Sequence, residues 1–276
     1  MAFEEHGSNA ADSGLTAVTS NATGGVKGSW VELVASTTNA NELITVQLQS
    51  NSSGSGSEFS IDIATGAASS ETVVIADIPF FFKSNAGNSA TSITFPLTIA
   101  SGTRISARCS DGVGSNVVDV GVLLNTDSTF GTNSAITNIC NKVQVAPSLN
   151  TKSSWVELNS STAATYNWLL VGFTTSGDTA HTASRFLIDI GTGAASSEVV
   201  LIPNMSWAMN QAEAHQSFWV PAPTSLSSGT RLAARAAASS TSEEAFVSIY
   251  GANVSVGGGG GGQGISQGIH SIGAQV

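Results

Sequence analysis

The segment FSIDIATGAASSETVVI at residues 59–75 returns as FLIDIGTGAASSEVVLI at residues 186–202, although much of the surrounding chain differs between the two places. GSWVELV at 28–34 matches SSWVELN at 153–159. TFPLTIASGTRISARCS at 94–110 is echoed, with insertions, by FWVPAPTSLSSGTRLAARAAA at 218–238. These anchors recur in one order at an offset near 125 residues. Such a period is too long for a solenoid and fits a duplicated domain. A single fold must therefore accommodate both copies, and any reading of one segment has to hold for its partner.

On this basis residues 1–125 form module 1 with an N-terminal arm, and residues 126–146 form a linker or leading strand of module 2. Module 2 covers 147–254, and 255–276 is a glycine-rich tail whose run of glycines resists regular structure. Within a module the apolar residues come in short, often alternating runs such as ELITVQLQ, EFSIDIA, ETVVIADI, SITFPLTI, RISARCS and VVDVGVLLN. Each is rich in β-branched or aromatic residues and bounded by Gly, Ser, Asn or Asp, which predicts strands. LAARAAA is helix-prone, yet its counterpart RISARCS is not, so both are assigned to strands. Seven or eight strands in about 110 residues predict an all-β chain of two tandem antiparallel β-sandwich modules, jelly-roll-like or immunoglobulin-like. No pair of Cys brackets a Trp, which disfavours the disulfide-linked immunoglobulin type.

Composition narrows the partners. Nine Lys and Arg face nineteen Asp and Glu, for a formal net charge of -10. With no basic cluster to neutralise phosphates, nucleic acid is not an expected partner. No run reaches membrane-spanning length and the first residues lack the apolar core of a secretory signal, so the expectation is a chain made in the cytosol without membrane insertion. Cys109 and Cys140 have no counterparts in the other copy, which predicts two unrelated free thiols rather than a disulfide or a metal site. No cofactor or metal is expected.

Several residues merit weighing as sites. Asp62 and Asp189 recur together with Arg104 and Arg231, and with Arg108 and Arg235 four residues on. In so Lys- and Arg-poor a chain, two retained Arg per copy predict charge-assisted pairs with Asp or Glu within or across the sandwich. Glu32, Glu157, Glu71 and Glu198 are read as solvated strand-edge charge. The TGAASSE turn supplies a Gly for unusual backbone angles, Ala residues that permit close approach and Ser hydroxyls for local bonds; it predicts a tight connection, not a phosphate cradle. His181 and His215 occur only in module 2, and no GxSxG elbow is present, so no catalytic residue is assigned. Tyr166, Trp207 and Trp219 reflect an aromatic excess in module 2. Core or interface packing is the favoured reading, and a sugar- or partner-binding surface the alternative.

The segments FSIDIATGAASSETVVI and FLIDIGTGAASSEVVLIPNM, with the Pro-then-SGTR stretches FPLTIASGTRISARC and VPAPTSLSSGTRLAAR, resemble virion structural proteins of tailed bacteriophages of the appendage, fibre or decoration type. That resemblance implies a non-enzymatic virion component that binds other virion proteins and forms a homo-oligomer such as a trimer. It also implies a contribution to host attachment; the alternative is a carbohydrate-binding module that takes a host surface glycan.

Overall fold

The computed structural model describes residues 3–9, 14–50, 57–82, 90–126, 133, 135–174, 184–209, 217–240 and 244–255. His181, His215 and the tail beyond Ser255 lie outside them. In the first module one sheet has the order β3 (Gly14–Thr19), β10 (Val117–Asn125), β5 (Leu43–Ser50), β8 (Ala90–Phe95). The other has the order β4 (Val31–Val34), β9 (Ile105–Asp111), β6 (Ser57–Thr65), β7 (Thr72–Phe82). The second module repeats both, with β11 (Thr137–Val145), β19 (Ala245–Ala252), β14 (Tyr166–Thr174), β17 (Phe218–Leu226) facing β13 (Val156–Asn159), β18 (Leu232–Ala238), β15 (Ser184–Thr192), β16 (Val199–Met209). Counting a module's eight strands in chain order, the sheets run 1-8-3-6 and 2-7-4-5. This is the jelly roll of two Greek keys, so the strand order selects it over the immunoglobulin alternative.

Three short strands add to this frame. In the first module β1 (Phe3–His6) pairs with the end of β10 that β3 leaves open, and β2 (Ser8–Asn9) extends β3. In the second module β11 spans that same edge alone, with two register shifts. The strand β12 (Ser148–Leu149) pairs in parallel with β18, the one departure from antiparallel order among the described strands.

The central strands β6 and β15 bury the residues their alternation predicts. Phe59, Ile61 and Ile63 on β6, and Phe186, Ile188 and Ile190 on β15, are fully buried between the sheets. The helix-prone LAARAAA is strand β18. Trp207 stands where Phe80 stands in the first module, each opposite the equivalent Phe of the neighbouring strand. It stacks on Phe186 at 4.8 Å between ring centroids. Ala236 in turn replaces Cys109. The second module thus carries a larger group at one core position and a smaller one at another, the kind of exchange that cores tolerate. Cys109 and Cys140 are free and buried, and burial pushes both thiols up to about 12, so they behave as small apolar groups.

The two jelly rolls are joined face to edge. Tyr250 of β19 lies against Phe95 in an edge-on contact and donates its hydroxyl to the Ala76 and Asp77 carbonyls on the edge strand β7, at 3.1 and 2.8 Å. Asn138 also donates to Ala76, Ser217 to the Pro79 carbonyl, and Lys142 pairs with Glu58 at 2.5 Å. Leu170, Trp168 and Trp219 complete an apolar patch that belongs to the first module's core cluster. The outer face of the second module's β14–β19 sheet therefore covers a sheet edge of the first, satisfying carbonyls that an edge strand leaves unpaired. Where the second module has Leu170, Gly172 and Trp219 the first carries Thr45, Gln47 and Ser92, with Thr45 bonded to Thr94, while Trp168 and Tyr250 stand where it has Leu43 and Leu123. The centre of this face is thus more polar in the first module than in the second.

Candidate functional site

The residues held most constant across the duplication meet on the outer side of the β6 and β15 sheets, where they build two ionic brackets per module. In the first bracket, Arg104 Nε donates to Glu32 at 2.7 Å, and its Nη1 reaches Glu71 at 3.1 Å and the Gly66 carbonyl at 3.2 Å. Arg231 repeats this with Glu157 at 2.6 Å, Glu198 at 2.9 Å and the Gly193 carbonyl at 3.1 Å. The bracket ties strand β4 or β13, the TGAASSE turn and the start of β9 or β18 into one unit.

The expectation of solvated glutamates is overturned for Glu71 and Glu198, whose side chains are 4% and 3% exposed. Burial pushes the Glu71 carboxyl up, but its own backbone N–H, the Arg104 guanidinium and the Ser69 N–H outweigh that and hold it below the ordinary value. Glu198 is held down in the same way by its own N–H, Arg231 and Ser196. Glu32 and Glu157 are half exposed yet paired, and they raise the Arg104 and Arg231 values further.

In the second bracket, Asp62 accepts from Lys27 at 2.7 Å, Arg108 at 2.9 Å and the Asp77 backbone N–H at 2.9 Å. Asp189 accepts from Lys152 at 2.7 Å, Arg235 at 2.9 Å and the Asn204 N–H at 2.8 Å. Each arginine lies over a tryptophan, Arg108 on Trp30 at 4.4 Å and Arg235 on Trp155 at 4.6 Å, a cation–π contact that shields the carboxylate from water. The predicted Asp–Arg partnership is thus found on the outer faces of the sheets rather than between them. Burial raises the Asp189 carboxyl, while Lys152, the Asn204 N–H and Arg235 together bring it below the ordinary value. One asymmetry stands out: Lys27 also meets Asp77 at 2.9 Å, whereas the second module has the neutral Asn204 at that place.

The shared turn has its own backbone signature. Gly66 and Gly193 have φ of +109° and +110°, and Ser69 and Ser196 have φ of +68° and +67°. A Cβ at either Gly would come within 2.9 Å of a backbone carbonyl, so only glycine fits. Ala67 and Ala194, by contrast, are exposed. The close-approach reading of these alanines is therefore overturned, and the constraint lies at Gly66, Ser69 and Glu71 and their counterparts.

The aromatic candidates do not form one surface. Tyr166 and Trp207 are 3% and 7% exposed within the second module's core, leaving no ring face on which a sugar could stack. Trp219 is half-buried at the junction of the modules, 5.8 Å from Tyr250 and over Gly172, where a Cβ would overlap its ring. The aromatic excess of module 2 thus fills its own core and the joint with module 1. Lys27, Lys152, Trp30 and Trp155 were not singled out from the sequence as site residues. Their signal was the repeated Lys-x-Ser-Trp before each VEL.

No protein-family model and no curated protein matches the sequence. Among solved structures, the chain is similar to a cryo-EM structure of Broad Bean Stain Virus, with 10% identity over 92% of this chain and 90% of that one, TM-score 0.38. It is also similar to cowpea mosaic virus top component, the naturally occurring empty particles, with 10% identity over 87% and 95%, TM-score 0.31. A third similarity is to the N-terminal CBM22-1-CBM22-2 tandem domain of Paenibacillus barcinonensis Xyn10C, with 10% identity over 84% and 85%, TM-score 0.29.

Proposed function

We propose that the chain is a non-enzymatic structural component of a tailed-phage particle, an appendage, fibre or decoration protein that binds other virion proteins and assembles as a symmetric homo-oligomer. The observation that carries this reading is what the duplication has kept. The charged residues retained in both copies are engaged in tying strands and turns together, as expected when selection acts on a rigid scaffold. The resemblance of the repeated anchors to phage structural proteins points the same way.

The joint between the modules supplies the rest. By covering β7 it fixes two jelly rolls at one distance and angle, while the equivalent edge strand β16 ends its sheet with Val199 69% exposed. An edge of this kind is where a neighbouring subunit adds its own sheet or side chains. Antibody raised against the recombinant chain should label the outside of purified particles, and deletion of module 2 should abolish assembly or host attachment. Purified particles that lack the chain altogether would overturn the proposal.

A further inference from the structure

The second module has an open groove of about 350 Å³ on the outer side of its β15 sheet, formed by Asn150, Arg185, Leu187, Ser206, Ala237 and Ser239. The strand registers place Arg185 where the first module has Glu58, Asn204 where it has Asp77, and Ala238 where it has Asp111. Of the three, Arg185 is the exposed one at the groove, a guanidinium in place of a carboxylate; Ala238 is buried in the core, and the Lys, Asp and Arg of the adjoining bracket are the same in both modules. Core packing does not demand the change, because Arg185 is exposed.

Among the described residues no carboxylate is paired with Arg185. Among the described residues every Lys and Arg other than Arg185 meets a carboxylate at 2.9 Å or less. In a chain of net charge -10, this makes the groove a local seat for an anion. In the first module the matching Glu58 is already engaged by Lys142.

The remaining lining narrows the class of anion. Leu187, 44% exposed, and Ala237 form an aliphatic floor. Asn150, held at φ +54°, and Ser206 add an amide and a hydroxyl at the rim. Ser239 accepts from the Arg185 N–H at 3.0 Å and donates its own N–H back at 3.0 Å, so its hydroxyl proton is left for a ligand. The floor strand β15 is paired on both sides, by β16 and β18, so it offers no backbone edge to an added peptide strand.

We infer that this groove binds a carboxylated pyranose, a uronic or sialic acid unit of a glycan. The aliphatic face of the ring would lie on Leu187 and Ala237, the ring hydroxyls would bond Asn150, Ser206 and Ser239, and the carboxylate would take the Arg185 fork. The site stands apart from the virion reading, and loss of either leaves the other intact.

The test is an amide-resolved NMR titration of the full chain with glucuronic, galacturonic and N-acetylneuraminic acids, against glucose and galactose. At least one acid should shift the Arg185 and Ser239 signals saturably, with neutral sugars at least tenfold weaker. Arg185→Ala should weaken the acid about tenfold or more, and Arg185→Lys should recover part of the loss. The spectra themselves report whether each variant is folded. The inference fails if no acid binds more tightly than about 10 mM, if Arg185→Ala binds equally well, or if inorganic sulfate shifts the same signals as strongly as the sugar acids.

Discussion

Replacing Asp189 by Asn and, separately, Asp62 by Asn compares one substitution in two nearly identical settings. Asp189 is the carboxylate that faces both Lys152 and Arg235, and Asn is isosteric, so the change removes charge without opening a cavity. Breaking a buried ion pair by removing one partner costs about 3–5 kcal/mol. The cations here are 21% and 31% exposed and recover some hydration, which brings the expectation to about 3 kcal/mol for Asp189→Asn. In the first module Lys27 retains Asp77 at 2.9 Å, so one of the two orphaned cations keeps a counter-ion. Asp62→Asn should therefore cost less, by about 1 kcal/mol. Adding Asn204→Asp to Asp189→Asn recreates the first module's second carboxylate at a left-handed position that Asp already occupies as Asp77, and should return about 1 kcal/mol. Urea unfolding followed by the fluorescence of Trp30 and Trp155, which lie under the affected guanidinium groups, reads all three variants. Equal losses for the two Asp→Asn changes, or no rescue by Asn204→Asp, would falsify the idea that these groups act as a local charge balance.

Gly66→Ala or Gly193→Ala should destabilise its module by about 1–3 kcal/mol, because the added Cβ meets a backbone carbonyl at a positive φ. Ala67→Leu and Ala194→Leu, at exposed positions, should stay within about 0.5 kcal/mol by the same unfolding measurement. Tyr250→Phe removes two hydrogen bonds to β7 and should lower stability by about 1–2 kcal/mol, with an increase in protease cleavage between the modules. Burial raises the Glu4 carboxyl, but the Thr38 and Asn39 N–H groups and His6 outweigh it and bring it to about 2. Its value in the folded chain lies below the unfolded one, so the hold of β1 on that loop is complete above about pH 4.5 and is lost as pH falls toward 2. Glu4→Gln should flatten amide-exchange protection of Phe3–His6 across that range.

Strand identity and fold class could be read from the sequence because alternation and duplication testify independently. LAARAAA shows the value of the second witness: propensity alone makes it helical, and only its counterpart RISARCS assigns it correctly. The Arg–Asp partnership was also legible, since scarce charges repeated at fixed spacing need counter-ions. Glu71 was misread because its partner Arg104 lies 33 residues away and arrives only through sheet pairing. The turn alanines were misread because a small side chain suits both a crowded contact and an open turn. Tyr250 was not found at all. A joint between unlike faces has no repeat, so a search for repetition passes over the residues that make it.

That joint has an evolutionary consequence. With Leu170 and Trp219 where module 1 has Thr45 and Ser92, and Trp168 and Tyr250 beside them, the second jelly roll has an apolar face that the first one covers. A duplication joined in this way works as a ratchet. Loss of the first module would uncover an aggregation-prone face on the second, so the two are tied together although each half has the topology of a complete fold.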